Sequence, residues 1–235
     1  MVYAMSDLHG CYDLYIKMLE KIKFSDEDTL YILGDVTVRG EDGIKILQDM
    51  MKRKNVIPIL GNHDYTALRM FKMIYNKEES DGLILGRTMW KLIGGAPTND
   101  AFMELAEADQ LEIINYINDF LIFIEINING NTFFLSHSVP TKEQILNEDD
   151  LECEDFIAGA PEYDKKYFED KYIVTGHTPT IFIDPKYDGK IYIKNNHIAI
   201  DCGAVFGRIL GCICLNNFKT LIIIIIFYII FLKII

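Results

Sequence analysis

Asp7 and His9 stand in the stretch SDLHG (6–10), and Asp35 and Arg39 stand in GDVTVRG (34–40), each just past a short apolar run. The same setting recurs three more times. Asn62 and His63 follow 56–60 within GNHD (61–64), His137 follows FFL within SH (136–137), and His177 follows 172–174 within GHTPT (176–180). Four of the five histidines are placed this way, and only His197 is not. Taken singly, each of these is an ordinary turn or a hydrogen-bonded histidine. Their recurrence at five apolar-run ends points to a metal site. Carboxylate, imidazole and amide oxygen together suit a borderline-to-hard divalent cation such as Mn²⁺, Fe or Zn²⁺. Asp7, His9, Asp35, Asn62, His63, His137 and His177 are more side chains than one tetrahedral ion needs. Two ions about 3.5–4 Å apart, sharing one carboxylate, would use them.

The elements that position these residues follow from hydrophobic periodicity. Residues 2–5, 29–33 and 56–60 read as strands, while 11–23, 44–51 and 67–75 carry helical spacing. This β-α-β-α-β-α order favours a layered α/β fold, in which ligands bind beyond the carboxyl ends of the strands. Residues 77–98 are polar and glycine-rich and hold the single tryptophan, Trp90. Residues 100–118 read as helix. Asn129-Gly130 between two β-rich runs is a hairpin signal. Residues 142–170 are acidic and read as helix and loop. Short strands are expected at 172–175, 180–183, 190–193, 198–200 and 209–215. There is no internal repeat and no clear linker. Cys212 and Cys214 alternate on one strand, share a face and read as buried small residues. His197 reads as a surface histidine.

Composition narrows the function classes. The chain has 235 residues, 50% of them hydrophobic and 25% charged, with a formal net charge of −12. An acidic surface repels phosphate backbones, so nucleic acid is not an expected partner. The basic run Lys52-Arg53-Lys54 reads as a solvated helix end. The five cysteines are scattered, with no CxxC pair. That argues against a zinc ribbon or thioredoxin site. No basic n-region or cleavable apolar stretch opens the chain. Reduced thiols in a cytoplasmic protein fit best.

The last stretch, LIIIIIFYIIFLKII (221–235), contains one lysine. As a helix it would span about 22 Å, short of the roughly 30 Å of a bilayer core. Its β-branched content favours a terminal strand, with membrane association through this tail as the alternative. We therefore expect a domain over 1–215 and a hydrophobic tail over 216–235.

The ordered set SDLHG, GDVTVRG, GNHD, SH and GHTPT resembles the calcineurin-like metallophosphoesterases. More narrowly it resembles the bacterial serine/threonine protein phosphatases of the phosphoprotein phosphatase family, whose motifs run GDxHG, GDxVDRG, GNHE, a lone His and GHTP. IAIDCGAVFGRILGCICL (198–215) is similar to that family's closing strands with their DTGA-type turn, so the likeness covers nearly all of residues 1–215. It implies a four-layer α-β-β-α sandwich and a dimetal centre, with Mn²⁺ the first choice of ion. One metal would take Asp7, His9 and Asp35, and the other Asp35, Asn62, His137 and His177. His63 would be the general acid, and Arg39 would hold the phosphate. The implied reaction is hydrolysis of a phosphomonoester by direct attack of a hydroxide held between the ions. A turn-forming role falls to Asp201. Trp90 and Gly94-Gly95 fall in a lid or substrate-binding loop.

Two departures from the family pattern stand out. Val38 replaces an Asp that orients the acid His, beside the milder change of Asp64 for the family's Glu. The second phosphate-binding Arg expected between His137 and His177 is absent: residues 138–176 contain neither Arg nor Trp, and Ala158 and Ala160 occupy the matching places. Lys165 or Lys166 would be a substitute without the planar fork of Arg. The first expectation is a phosphatase acting on a phosphoprotein or small phosphoester. The alternatives are a weakened member that binds metal and phosphoprotein, and a dinucleotide-polyphosphate hydrolase.

Overall fold

The computed structural model describes residues 1–78, 80–147, 151–207 and 209–224. β1 (Val2–Met5), β2 (Thr29–Leu33) and β3 (Val56–Ile59) pair in parallel and are joined by α1 (Tyr12–Ile22) and α2 (Gly43–Met50). α3 (Asn62–Tyr75), α4 (Asp81–Trp90), a π-turn (Lys91–Gly95), α5 (Ala96–Met103) and α6 (Glu107–Asn118) follow. The chain then enters the hairpin of β4 (Phe123–Ile128) and β5 (Asn131–Ser136). Asn129 and Gly130 both have positive φ, as the two central residues of a type I′ turn require.

α7 (Lys142–Asn147) and α8 (Cys153–Ala158) precede β6 (Lys171–Thr175), and α9 (Thr180–Ile183) follows it. β7 (Tyr192–Lys194), β8 (His197–Ala199), α10 (Ala204–Gly207), β9 (Ile209–Cys214) and β10 (Lys219–Ile224) complete the described chain. One sheet has the order β10-β9-β1-β2-β3 and the other β4-β5-β6-β8-β7.

Alternation along the strands builds the layers. Ala4, Tyr31 and Leu33 face Phe133, Leu135, Val174 and Ile198 of the other sheet, making the central core. Their neighbours Met5, Leu30 and Ile32 point the opposite way, onto α1, α2, α3, α5 and α6. The far side of the second sheet packs Phe134 and Ile173 against Ile145 of α7 and Phe156 of α8. The result is the α-β-β-α sandwich. Burial of this apolar area, worth about 25 cal/mol per Å², is what holds the layers together.

Several local expectations change. Residues 180–183 (TIFI) form one helical turn rather than a strand, because the Thr180 N–H is taken by the Asp201 carbonyl at 2.9 Å. The polar 77–98 region is largely helical: Ser80 caps α4 by accepting from the Leu83 N–H at 3.3 Å. The single helix expected over 100–118 is two, broken between Met103 and Glu107. His197 is fully buried, not on the surface, with its ring tilted against Tyr163 at 4.6 Å between centroids. In the apolar tail, Lys219–Ile224 is a strand antiparallel to β9, and residues 225–235 lie outside the described residues. No helix among the described residues is long and apolar enough to cross a membrane.

Candidate active site

The parallel strands of both sheets deliver the sequence-singled residues to one place. Asp7, Asp35 and Asn62 follow the carboxyl ends of β1, β2 and β3, while His137 and His177 follow those of β5 and β6. Asp7, His9, Asp35 and His177 all have φ between 41° and 66°. Left-handed backbone at non-glycine residues costs energy and clusters at functional sites. Here it turns each chain sharply off its strand. Gly61 must be glycine for a separate reason: a Cβ there would lie 2.2 Å from the Asp35 Oδ1.

Asp35 is the hub. Its Oδ1 accepts from the His63 N–H at the start of α3, 3.0 Å away. Its Oδ2 lies 3.6 Å from His9 Nε2 and 3.4 Å from His137 Nε2. Both rings are fixed from behind. His9 Nδ1 pairs with the Thr37 carbonyl at 3.0 Å and His137 Nδ1 with the Leu33 carbonyl at 2.6 Å. A ring that donates Nδ1–H to a carbonyl presents an Nε2 lone pair forward, the tautomer a metal ligand needs. Asn62 Oδ1 sits 3.2 Å from His137 Nε2 and 3.1 Å from His177 Nδ1. Asp7 Oδ2 accepts from the His177 N–H at 3.0 Å.

The electrostatics of this cluster ask for a cation. Burial raises the Asp7 carboxyl well above the usual carboxylate range, and Asp201 adds to it. Burial would also raise Asp35, but His137, His9 and His63 together hold it ionised. Asp35 and then Asp7 raise His137 against its burial, so in the absence of a cation the Nε2 that faces them competes for a proton. Burial pulls His9 and His177 down to about 4 and lowers His63 as well. Buried carboxylates and imidazoles therefore converge at one place, which is the donor chemistry of a hard-to-borderline metal site. Two triads bring ligand atoms within 4.8 Å of one another, Asp7–Asp35–His137 and His9–Asp35–His63, and Asp35 is common to both. The grouping differs from the one the motif order implies, since Asp7 falls with His137 and His63 falls with His9.

Arg39 reaches into the same site. Nη1 hydrogen-bonds His9 Nε2 and Nη2 lies 2.9 Å from His63 Nε2. Its backbone N–H is held by the Gly94 carbonyl at 2.8 Å, and its guanidinium lies under the Phe206 ring, 5.2 Å from the centroid. Gly94 and the π-turn thus touch the site, in the stretch whose Gly-Gly pair suggested a substrate loop.

Other partners could not be foreseen from the sequence. Buried Asp64 accepts from the Val36 N–H (3.1 Å), the Thr37 N–H (3.0 Å) and the Thr37 hydroxyl (2.8 Å), so it shapes the loop that carries Arg39. Burial, then the nearby Asp35, pushes the Asp64 carboxyl up to about 6. The Val38 N–H goes to Thr98 Oγ1 at 2.9 Å. Val38 itself is buried with φ 69°, a conformation unusual for a β-branched residue. Asp201 is buried and accepts from the Gly203 N–H at 2.8 Å, which is a turn-forming bond. Lys165 and Lys166 are each paired with an acid three residues away, Glu162 and Glu169.

An α-β-β-α sandwich with a buried carboxylate shared between two donor clusters, and an Arg beside them, is the architecture of a metal-dependent phosphoesterase. The family model of the calcineurin-like phosphoesterases matches residues 1–204, and the chain belongs to that family. Symmetrical bis(5'-nucleosyl)-tetraphosphatases from Wigglesworthia glossinidia brevipalpis and from Salmonella typhimurium are each 36% identical over 83 residues. The match takes in 34% of this chain and 30% and 29% of theirs, so the chain matches less than a third of the length of these curated relatives.

Among solved structures, one carrying a provisional diadenosine tetraphosphatase assignment superposes with a TM-score of 0.67 at 16% identity, covering 94% of this chain and 92% of that one. A serine/threonine protein phosphatase from Saccharomyces cerevisiae gives a TM-score of 0.59 at 10% identity, covering 97% and 80%. These two likenesses concern the fold.

Proposed function

We propose that the chain is a metal-dependent hydrolase of a dinucleoside polyphosphate, cleaving a bis(5'-nucleosyl) tetraphosphate between its two middle phosphates. The observation that carries the hydrolase reading is the convergence of both donor triads on Asp35, with Arg39 beside them. The names of the curated relatives favour the dinucleotide substrate, which the sequence alone ranked behind a phosphoprotein. The two departures point the same way. Val38 and the missing second Arg are departures from the protein-phosphatase pattern, not from the metal site.

Asp7, His9, Asp35, Asn62, His137 and His177 would hold two divalent cations, with Mn²⁺, Fe or Zn²⁺ suited to the donors. Such ions supply activation of water and neutralisation of phosphoryl charge. The chain's own residues do the rest. Arg39 binds the phosphoryl oxygens through paired N–H donors. In doing so its guanidinium leaves His9 Nε2 free as a ligand and His63 Nε2 free to carry a proton. His63 then donates that proton to the departing phosphate oxygen. The His63 N–H keeps Asp35 oriented throughout.

The test is hydrolysis of diadenosine tetraphosphate against a phosphoserine peptide by purified protein, with Mn²⁺ and with chelator, and with Asp35→Asn as control. Mn²⁺-dependent release of two ADP, well above phosphate release from peptide, is expected. The reverse preference would return the chain to the protein-phosphatase reading.

A further inference from the structure

Phe206 is an exposed aromatic that neither the motif set nor the reaction above uses. It lies on α10, whose Ala204 is buried and whose Val205 packs on the core, yet Phe206 itself is 68% exposed. Its ring covers the Arg39 guanidinium at 5.2 Å from the centroid. The ring thus has a cation beside it while about two-thirds of the residue is in water. An exposed aromatic side chain incurs a hydration cost that a surface helix turn avoids with any polar residue.

We propose that Phe206 is the stacking platform for a nucleobase of the substrate. In a nucleoside diphosphate group one phosphate and one ribose separate the attacked phosphorus from the base. A chain of that length folds back onto a ring seated beside the phosphate clamp. Stacking on one aromatic face is tolerant of base identity, because every base has a π-face. The Arg39 guanidinium beneath the ring strengthens the arrangement and ties the base and phosphate subsites to one side chain. Gly94 also approaches the Arg39 Cγ closely, since a Cβ on that glycine would lie 3.1 Å away. Gly94 continues from Leu92 and Ile93, which are 75% and 63% exposed. An apolar stretch of that kind would suit a peptide, whereas the single ring on the guanidinium suits a base.

This inference rests on the dinucleotide reading, and the experiment separates the two. ADP and inorganic pyrophosphate share the phosphates and differ in the nucleoside. Their dissociation constants are measured for the whole Mn²⁺-loaded chain and for Phe206→Ala, Phe206→Leu and Phe206→Trp. Alanine and leucine should weaken ADP binding by about tenfold or more. They should weaken pyrophosphate by a clearly smaller factor, and tryptophan should keep ADP affinity. Equal losses on both ligands would mean that Phe206 acts only by orienting Arg39, and unchanged ADP binding would mean that no base sits there. Either result overturns the assignment. Failure of the dinucleotide reading is seen separately, as no cleavage of diadenosine tetraphosphate by the wild type, and the platform is then judged on the ADP measurements alone.

Discussion

The amide of His63 and the carboxylate of Asp35 form one unit: the N–H reaches Oδ1 at 3.0 Å, which leaves Oδ2 facing His9 and His137 at 3.6 and 3.4 Å. The first turn of α3 therefore orients the carboxylate that both donor triads share. Asp35→Asn keeps the shape and removes the charge. It should cost more activity than any other single change among the proposed ligands. The loss should exceed the roughly 10–100-fold that follows loss of a partner behind a metal ligand. Metal content per chain, read beside p-nitrophenyl phosphate turnover, checks this. A near-silent Asp35→Asn together with a severe His9→Asn would show that Asp35 is not shared.

Asp64 should matter although it does not enter either triad. Replacing it with alanine leaves the Val36 and Thr37 N–H groups buried without their acceptor. Two orphaned donors cost about 3 kcal/mol, which lowers Tm by roughly 10 °C in a chain of this size. Turnover should fall further than stability predicts, because the same loop carries Arg39. Asp64→Asn, which keeps one acceptor oxygen, should lie between. Thermal unfolding and steady-state rates on the three proteins decide it.

The site was more legible than its surroundings. Four histidines and three acid or amide residues could be found because strand ends leave a local signature, an apolar run followed by a small turn residue, Gly or Ser. The Asn129-Gly130 hairpin was legible for the same local reason. α4 was not, because Ile84, Leu85 and Met89 are exposed and only Trp90 is buried, so no apolar stripe marks the helix. The turn at 180–183 carries β-rich residues and becomes helical through a bond to Asp201, about twenty residues away in sequence. Asp64, Thr98 and Phe206 act on the Val36–Arg39 loop through contacts that no spacing rule connects. The family was legible from motif order, but the substrate was not, since the motifs encode the phosphoryl chemistry common to the family.

His197 gives a pH dependence of stability. In the unfolded chain an imidazole titrates near 6.5, whereas burial pulls folded His197 down to about 3. Between those values the unfolded state takes up a proton that the folded state refuses, so this contribution is lost as pH falls below 6.5. Asp64 and Asp201, both raised by burial to about 6, change stability in the opposite direction on acidification. The comparison must therefore be made against a variant. His197→Gln can keep a hydrogen bond to the Thr175 hydroxyl, which lies 2.9 Å from His197 Nε2. From pH 6.5 to 4.5 the wild type should lose about 2 kcal/mol more than the variant. Parallel urea-melt profiles would show that His197 is protonated in the folded state.

The strand at Lys219–Ile224 changes what truncation should do. The β-branched content of the tail favours a terminal strand, although the domain boundary was expected at 215. Yet β10 pairs with β9 over six residues from Lys219↔Cys214 to Ile224↔Ile209, and Leu221 and Ile223 pack against the core that α1 covers. The Lys21 ammonium also donates to the Ile222 carbonyl at 2.6 Å. Removing residues 217–235 strips β9 of its outer partner and uncovers two apolar side chains, worth about 1.5–3 kcal/mol each when fully buried and less here. The truncated chain should melt several degrees lower and expose β9 as a new edge open to intermolecular pairing. Removing only 225–235 spares these contacts and gives the comparison chain. Differential scanning calorimetry with light scattering on the two truncations distinguishes a pairing strand from a dispensable end: equal Tm values for both would show that β10 contributes nothing to the fold.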